Sequence, residues 1–115
     1  MRLTPMSQFL TGAAVYLSTR EMLSLEERLR SNPEIGKPIP KTSGTLRHLT
    51  HPATGKSDYG YRPVVVYIFD KASDEIILVD VSEKESIVRE MLKSPGALLR
   101  IATILRFIKD FMDSL

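Results

Sequence analysis

Two cations stand at the ends of a pair of β-rich runs. Arg62 lies in Tyr61-Arg62-Pro63-Val64-Val65-Val66-Tyr67-Ile68-Phe69, and Lys84 follows Ile76-Ile77-Leu78-Val79-Asp80-Val81. The polar stretch Asp70 to Glu75 between the runs reads as the turn of an antiparallel hairpin. Counting outward from a loop of about three or four residues sets Arg62 opposite Glu83 or Lys84. Two cations facing each other at the open end of a sheet repel, and an anion between them relieves the repulsion. Phosphate suits that place, because a guanidinium offers a planar fork of donors and stays charged. The plainer alternative for Arg62 is an ion pair with Glu83 or Asp80. For Lys84 it is an exposed strand-end charge between Glu83 and Glu85.

His48 and His51 are the two histidines, and either can titrate near neutrality as a general acid or base. In a strand over Leu46 to His51, alternation puts Arg47, Leu49 and His51 on one face and His48 on the other. His51 is the preferred proton carrier, since it shares a face with Arg47 and borders the loop that leads to Arg62. Alternation also splits His48 from His51 as metal ligands with Asp58, so no metal and no other cofactor is expected. Tyr59 and Tyr61 flank Gly60 just before Arg62, where an aromatic ring can stack on an unpaired base or support the sheet. Lys41 and Lys56 lie in the two loops that would border this region and, with His48 and the tyrosines, complete a set of candidates for contact with phosphates and bases.

These residues need a scaffold. Pro5 to Tyr16 has Met6, Phe9, Leu10, Ala13, Ala14 and Leu17 at helical spacing. A second helix starts near Ser18, where Ser18-Thr19-Arg20-Glu21 has the form of a capping box, and ends at Asn32-Pro33 with Gly36. Residues 34 to 44 read as an extended connector with at most a short edge strand, followed by a strand from Thr45 to Thr50 and a polar loop from His51 to Asp58. Pro63 lacks an amide donor, so its part of the hairpin should be an edge, a bulge or unpaired. After Glu85 the chain reads as helical to Lys93, breaks at Ser94-Pro95-Gly96, and continues as an amphipathic helix over 97–115. That last helix suits a cover for the sheet, the face of a homodimer or a groove filler that mimics a partner's helix. The expected fold class is α+β: two N-terminal helices packed on a small antiparallel sheet of three or four strands, with C-terminal helices.

At 115 residues the chain suits one domain, 1–115. It has no apolar run of about 18 residues and lacks the layout of a signal peptide. It also has no cysteine, which excludes disulfides and thiolate zinc sites and fits a reducing, cytoplasmic setting. A net charge of +2 means that any basic patch must be local.

The phrases Tyr59-Gly60-Tyr61-Arg62 to Asp70 and Glu75 to Glu85, preceded by Asn32-Pro33-Glu34-Ile35-Gly36 and Gly44-Thr45-Leu46-Arg47-His48-Leu49, resemble the RelE/ParE superfamily of bacterial toxins, and within it the HigB-like branch. The resemblance covers roughly residues 6 to 90. It implies a RelE-like, barnase-like fold and a type II toxin that cleaves mRNA on the ribosome without metal, the ribose 2′-hydroxyl attacking the adjacent phosphate. Carried over residue by residue, Arg62 would stabilise the transition state, Lys84 would bind phosphate or donate a proton, Arg47 would contact the mRNA backbone and His51 would assist. The implied partners are a cognate antitoxin, the ribosome and mRNA. Other functions within the resemblance are ParE-like inhibition of DNA gyrase and a non-catalytic module that binds protein through its C-terminal helix.

Overall fold

The computed structural model describes residues 1–39, 42 and 46–83. The expected C-terminal helices, with Lys84 and the segment 97–115, lie outside the described residues, as does Lys41. Within them the chain is α+β. Its elements are β1 (Arg2–Pro5), α1 (Ser7–Tyr16), α2 (Thr19–Ser31), β2 (Lys37–Pro38), β3 (Leu46–Thr50), β4 (Pro63–Asp70) and β5 (Glu75–Glu83).

All five strands join one sheet in the order β1-β5-β4-β3-β2. Pairing is antiparallel except that β1 runs parallel to β5, from Arg2 opposite Glu75 to Pro5 opposite Leu78. The sheet is therefore mixed and five-stranded, not the antiparallel sheet of three or four strands that local patterning suggests. Strand β1 is the source of the difference. Its four residues show no clear alternation, and its partner lies far along the chain, so only the folded context defines it. Pro5, expected in the first turn of α1, instead ends this edge strand, and the Met6 amide donates to the Leu78 carbonyl at 3.0 Å.

The hairpin forms as its sequence indicates. Lys71–Asp74 make the turn, and the Asp70 carboxylate accepts from the amides of Ala72 (3.1 Å) and Ser73 (3.4 Å), a side chain standing in for a backbone turn. Asp74 takes the left-handed conformation at φ 52°, which aspartate tolerates better than most residues. Pro63 occupies the first position of β4, where a missing amide is tolerated, although β4 is a central strand and not an edge.

The capping box is present. Ser18 Oγ accepts from the Glu21 amide at 3.2 Å, and the Ser18 amide donates to Glu21 Oε1 at 2.9 Å. Helices α1 and α2 pack on one face of the sheet, where Phe9, Ala13, Leu17, Leu25 and Leu29 meet Leu49, Val65, Tyr67, Ile76, Leu78 and Val81. Gly12 allows the close approach of α1: a Cβ there would stand 2.3 Å from the Val81 carbonyl oxygen. A second buried cluster, Ile39, Leu46, Val64, Val66, Ile68, Ile77 and Val79, occupies the opposite face, and no residue of α1 or α2 belongs to it. Burial on both faces is why β4 and β5 read as continuous apolar runs and not as alternating ones.

Candidate functional site

The loop between β3 and β4 carries most of the expected site, and α2 holds that loop in place. Glu21 is the centre of the attachment. Besides capping α2, its second carboxylate oxygen accepts from the Asp58 amide at 3.0 Å, and its backbone carbonyl lies 2.7 Å from His51 Nε2. Asp58 returns two bonds of its own, accepting from Ser18 Oγ and Arg20 Nη2, each at 2.6 Å. These two donors hold the Asp58 carboxyl below its ordinary pKa. Arg28 closes the far side, donating from Nη1 to the Thr50 carbonyl (3.1 Å) and toward His51 Nδ1 (2.8 Å).

His51 is consequently an interior residue. Its relative exposure is 0%, and both ring nitrogens are engaged. A carbonyl on Nε2 requires a proton there, and a guanidinium donor on Nδ1 requires a lone pair, so the partners select the neutral Nε2–H tautomer. Burial holds the pKa below its ordinary value, with the Glu21 carbonyl opposing that effect and the Arg28 guanidinium reinforcing it. The alternation read from sequence is correct, since His51 and Leu49 both face the helices while His48 does not. The expected proton carrier, however, has neither solvent nor an open nitrogen, and its chemistry here is to fasten the loop to α2.

The attached loop presents a different set of groups. Lys56 and Tyr59 are exposed, Tyr59 at 56%, and Tyr61 is 38% exposed with its ring edge-on to Tyr16 at 5.0 Å between centroids. The amides of Tyr59 and Tyr61 both donate to Ser57 Oγ, at 3.3 and 3.2 Å, which fixes the turn that carries the rings. Gly60, between them, has φ +86°, a conformation that favours glycine. Arg62 follows at the open end of the hairpin. Pro63 pairs with Glu83, so Arg62 stands one position beyond the last described pair, and its amide donates to Glu83 Oε1 at 3.4 Å. The expected facing of Arg62 and Lys84 falls outside the described residues.

Neither a scan against protein-family models nor a search of curated proteins finds a match.

Arg47 does not join this group. It pairs with Tyr67, five residues further along β4 than Arg62, a separation of about 17 Å at the usual strand rise. Its Nη1 donates to the carbonyls of Glu34 (3.2 Å) and Gly36 (2.8 Å), so it clamps the connector after α2. Tyr67 completes that clamp from the next strand. Its buried hydroxyl donates to the Pro33 carbonyl and accepts from the Gly36 amide, both at 2.8 Å, and burial raises its pKa.

His48 lies at the β2–β3 edge, opposite Lys37. Burial and then the Lys37 charge lower its pKa, which keeps the imidazole neutral at pH 7. Beside it an open cleft of about 320 Å³ is lined by Arg28, Ile35, Lys37, His48, Leu49, Thr50 and Ala53. Sequence reading singles out neither Arg28 nor Lys37. Arg28 adjoins Leu25 and Leu29 on the apolar stripe of α2, a position from which a long cation reaches sideways off the buried face, and this is the one local sign of its role.

Proposed function

We propose that this protein is a toxin of a type II toxin–antitoxin system, of the RelE/ParE kind and nearest to its HigB-like branch, acting on mRNA at the ribosome. The observation that carries this reading is the rigid loop at the open end of the hairpin. It presents Lys56, Tyr59 and Tyr61 and leads directly into Arg62, with its root tied to α2 through Glu21, His51, Asp58 and Arg28. Exposed aromatic rings beside cations suit an unstacked base and its phosphate. Two N-terminal helices on one face of a sheet with a β4–β5 hairpin support the RelE-like fold that this reading requires. In it Arg62 stabilises charge on the phosphate being attacked, and Lys84 supplies the second cation or the proton. His51 is a positioning residue that holds the loop.

The enclosure of His51 favours a second reading, a non-catalytic module on the same scaffold that binds a protein partner. Induction in a bacterium without antitoxin, with RNA 5′ ends mapped beside a growth curve, separates the two. The toxin reading expects growth arrest and new ends inside translated codons, both lost in Arg62→Ala with the fold retained. Healthy growth with intact mRNA overturns it and leaves the binding module. Arrest with DNA breaks and uncut mRNA points instead to gyrase.

A further inference from the structure

The described cations differ in how they are paired. Arg2, Arg20, Arg30 and Lys71 each have a carboxylate partner, respectively Glu75, Asp58, Glu26 and Glu34, at 2.6 to 3.1 Å. Among the described residues Arg47 and Lys56 have no carboxylate within 4.0 Å, and neither do Arg28 and Lys37. Arg28 and Lys37 both line the cleft at the β2–β3 edge, and no acidic residue among the described ones lines it with them. From these observations we infer that this cleft is a phosphate-binding site, in which Arg28, Lys37 and His48 hold a phosphodiester of single-stranded RNA away from Arg62.

Arg28 is preorganised for the task. Its Nη1 is committed to the Thr50 carbonyl and His51, which fixes the guanidinium, while Nη2 and Nε make no hydrogen bond among the described residues. A guanidinium held in this way loses little freedom on taking up an anion. Lys37 lies on the two-residue strand β2 and is exposed, so its ammonium can follow a phosphate in the cleft. His48 pairs with Lys37 across the strands and lines the same cleft as a neutral ring with a donor to offer. Among the described residues strand β2 pairs only with Arg47 and His48, and the Leu49–Thr50 rim has no neighbouring strand on that side. Ile35 and Leu49 supply apolar walls for a ribose. Phosphate follows from the charges alone, whereas RNA as its source rests on the function proposed above.

The test compares Lys37→Gln with Lys71→Gln, which remove the same charge from the cleft and from an ion pair elsewhere. A short single-stranded oligouridine is titrated at several salt concentrations, and inorganic phosphate is titrated while backbone amide spectra are followed. The expected result is that phosphate shifts the amides of Lys37, His48, Leu49 and Thr50. Lys37→Gln should also weaken RNA binding several-fold and reduce the salt slope by about 0.7, the loss of roughly one phosphate contact, while Lys71→Gln leaves the slope unchanged. Equal effects of the two variants, no shift at those amides, or failure of the wild type to bind either probe overturns the site. Growth is scored in parallel. Cleft binding without toxicity keeps the site and removes the toxin reading, and toxicity unaltered by Lys37→Gln together with unaltered binding does the reverse. Phosphate binding without RNA binding overturns RNA as the source.

Discussion

Arg28 Nη1 lies 2.8 Å from His51 Nδ1 in the interior, and that contact decides the protonation state of the imidazole. A proton added at Nδ1 would face the guanidinium with no acceptor, so the folded protein resists protonation where the unfolded chain does not. The groups around the ring are the Arg28 guanidinium and the Glu21 carbonyl and carboxylate from α2, and of these the guanidinium opposes a charged imidazole. A depressed folded pKa means that the stabilisation is present above the unfolded value of 6.5 and is lost as pH falls through the folded value. The protein should therefore become less stable from neutrality downward through this window, with His48 contributing in the same direction. Urea denaturation between pH 7.5 and 5 checks it. His51→Gln, which keeps a donor and an acceptor but cannot ionise, should flatten the slope, and a slope unchanged in that variant would show that His51 is not its source.

Tyr67 offers a sharper test of how the chain after α2 is held. Its hydroxyl is at once the donor to Pro33 and the acceptor for Gly36. Tyr67→Phe keeps the ring in the core and leaves both backbone groups unsatisfied, which should cost about 1–3 kcal/mol. Hydrogen exchange at the Gly36 amide should accelerate more than exchange in β5. Uniform acceleration across the sheet would mean that Tyr67 acts through general packing alone.

Gly12 sets the distance between α1 and the sheet. Since a methyl group there would meet the Val81 carbonyl at 2.3 Å, Gly12→Ala should gain helix propensity and still destabilise, by about 1–3 kcal/mol, because the helix must lift from β5. A thermal melt decides the sign. A raised Tm would mean that α1 can shift without loss of packing.

Local chemistry wrote much of this fold plainly into the sequence. Ser18 and Glu21 announce the start of α2, Asn32-Pro33 its end, and the apolar runs on either side of Asp70–Glu75 the hairpin. The face assignment of Arg47, Leu49 and His51 followed from alternation and holds. What escaped was whatever depends on residues far apart in the chain. Strand β1 exists because β5 offers it an edge, and Arg47 is drawn from the Arg62 end by the register of β3 on β4. His51 has the composition of a catalytic residue and the surroundings of a structural one. Only the approach of Glu21 and Arg28 from α2 distinguishes the two.

The two arginines that sequence reading grouped together should separate cleanly by phenotype. Arg47 bonds two backbone carbonyls of the connector, so Arg47→Ala removes donors from the carbonyls of Glu34 and Gly36 and should lower stability by about 1–2 kcal/mol. Its effect on growth arrest should follow from that loss and be restored by lowering the temperature. Arg62 stands at the exposed end of the hairpin, outside both buried clusters, so Arg62→Ala should leave the melting temperature within a degree or two of the wild type. On the proposed function it abolishes arrest at every temperature. Melting curves and growth assays at two temperatures for both variants check the pair. Cold rescue of Arg62→Ala, or arrest lost in Arg47→Ala at full stability, would exchange their roles and move the reacting phosphate to the β3 side of the sheet.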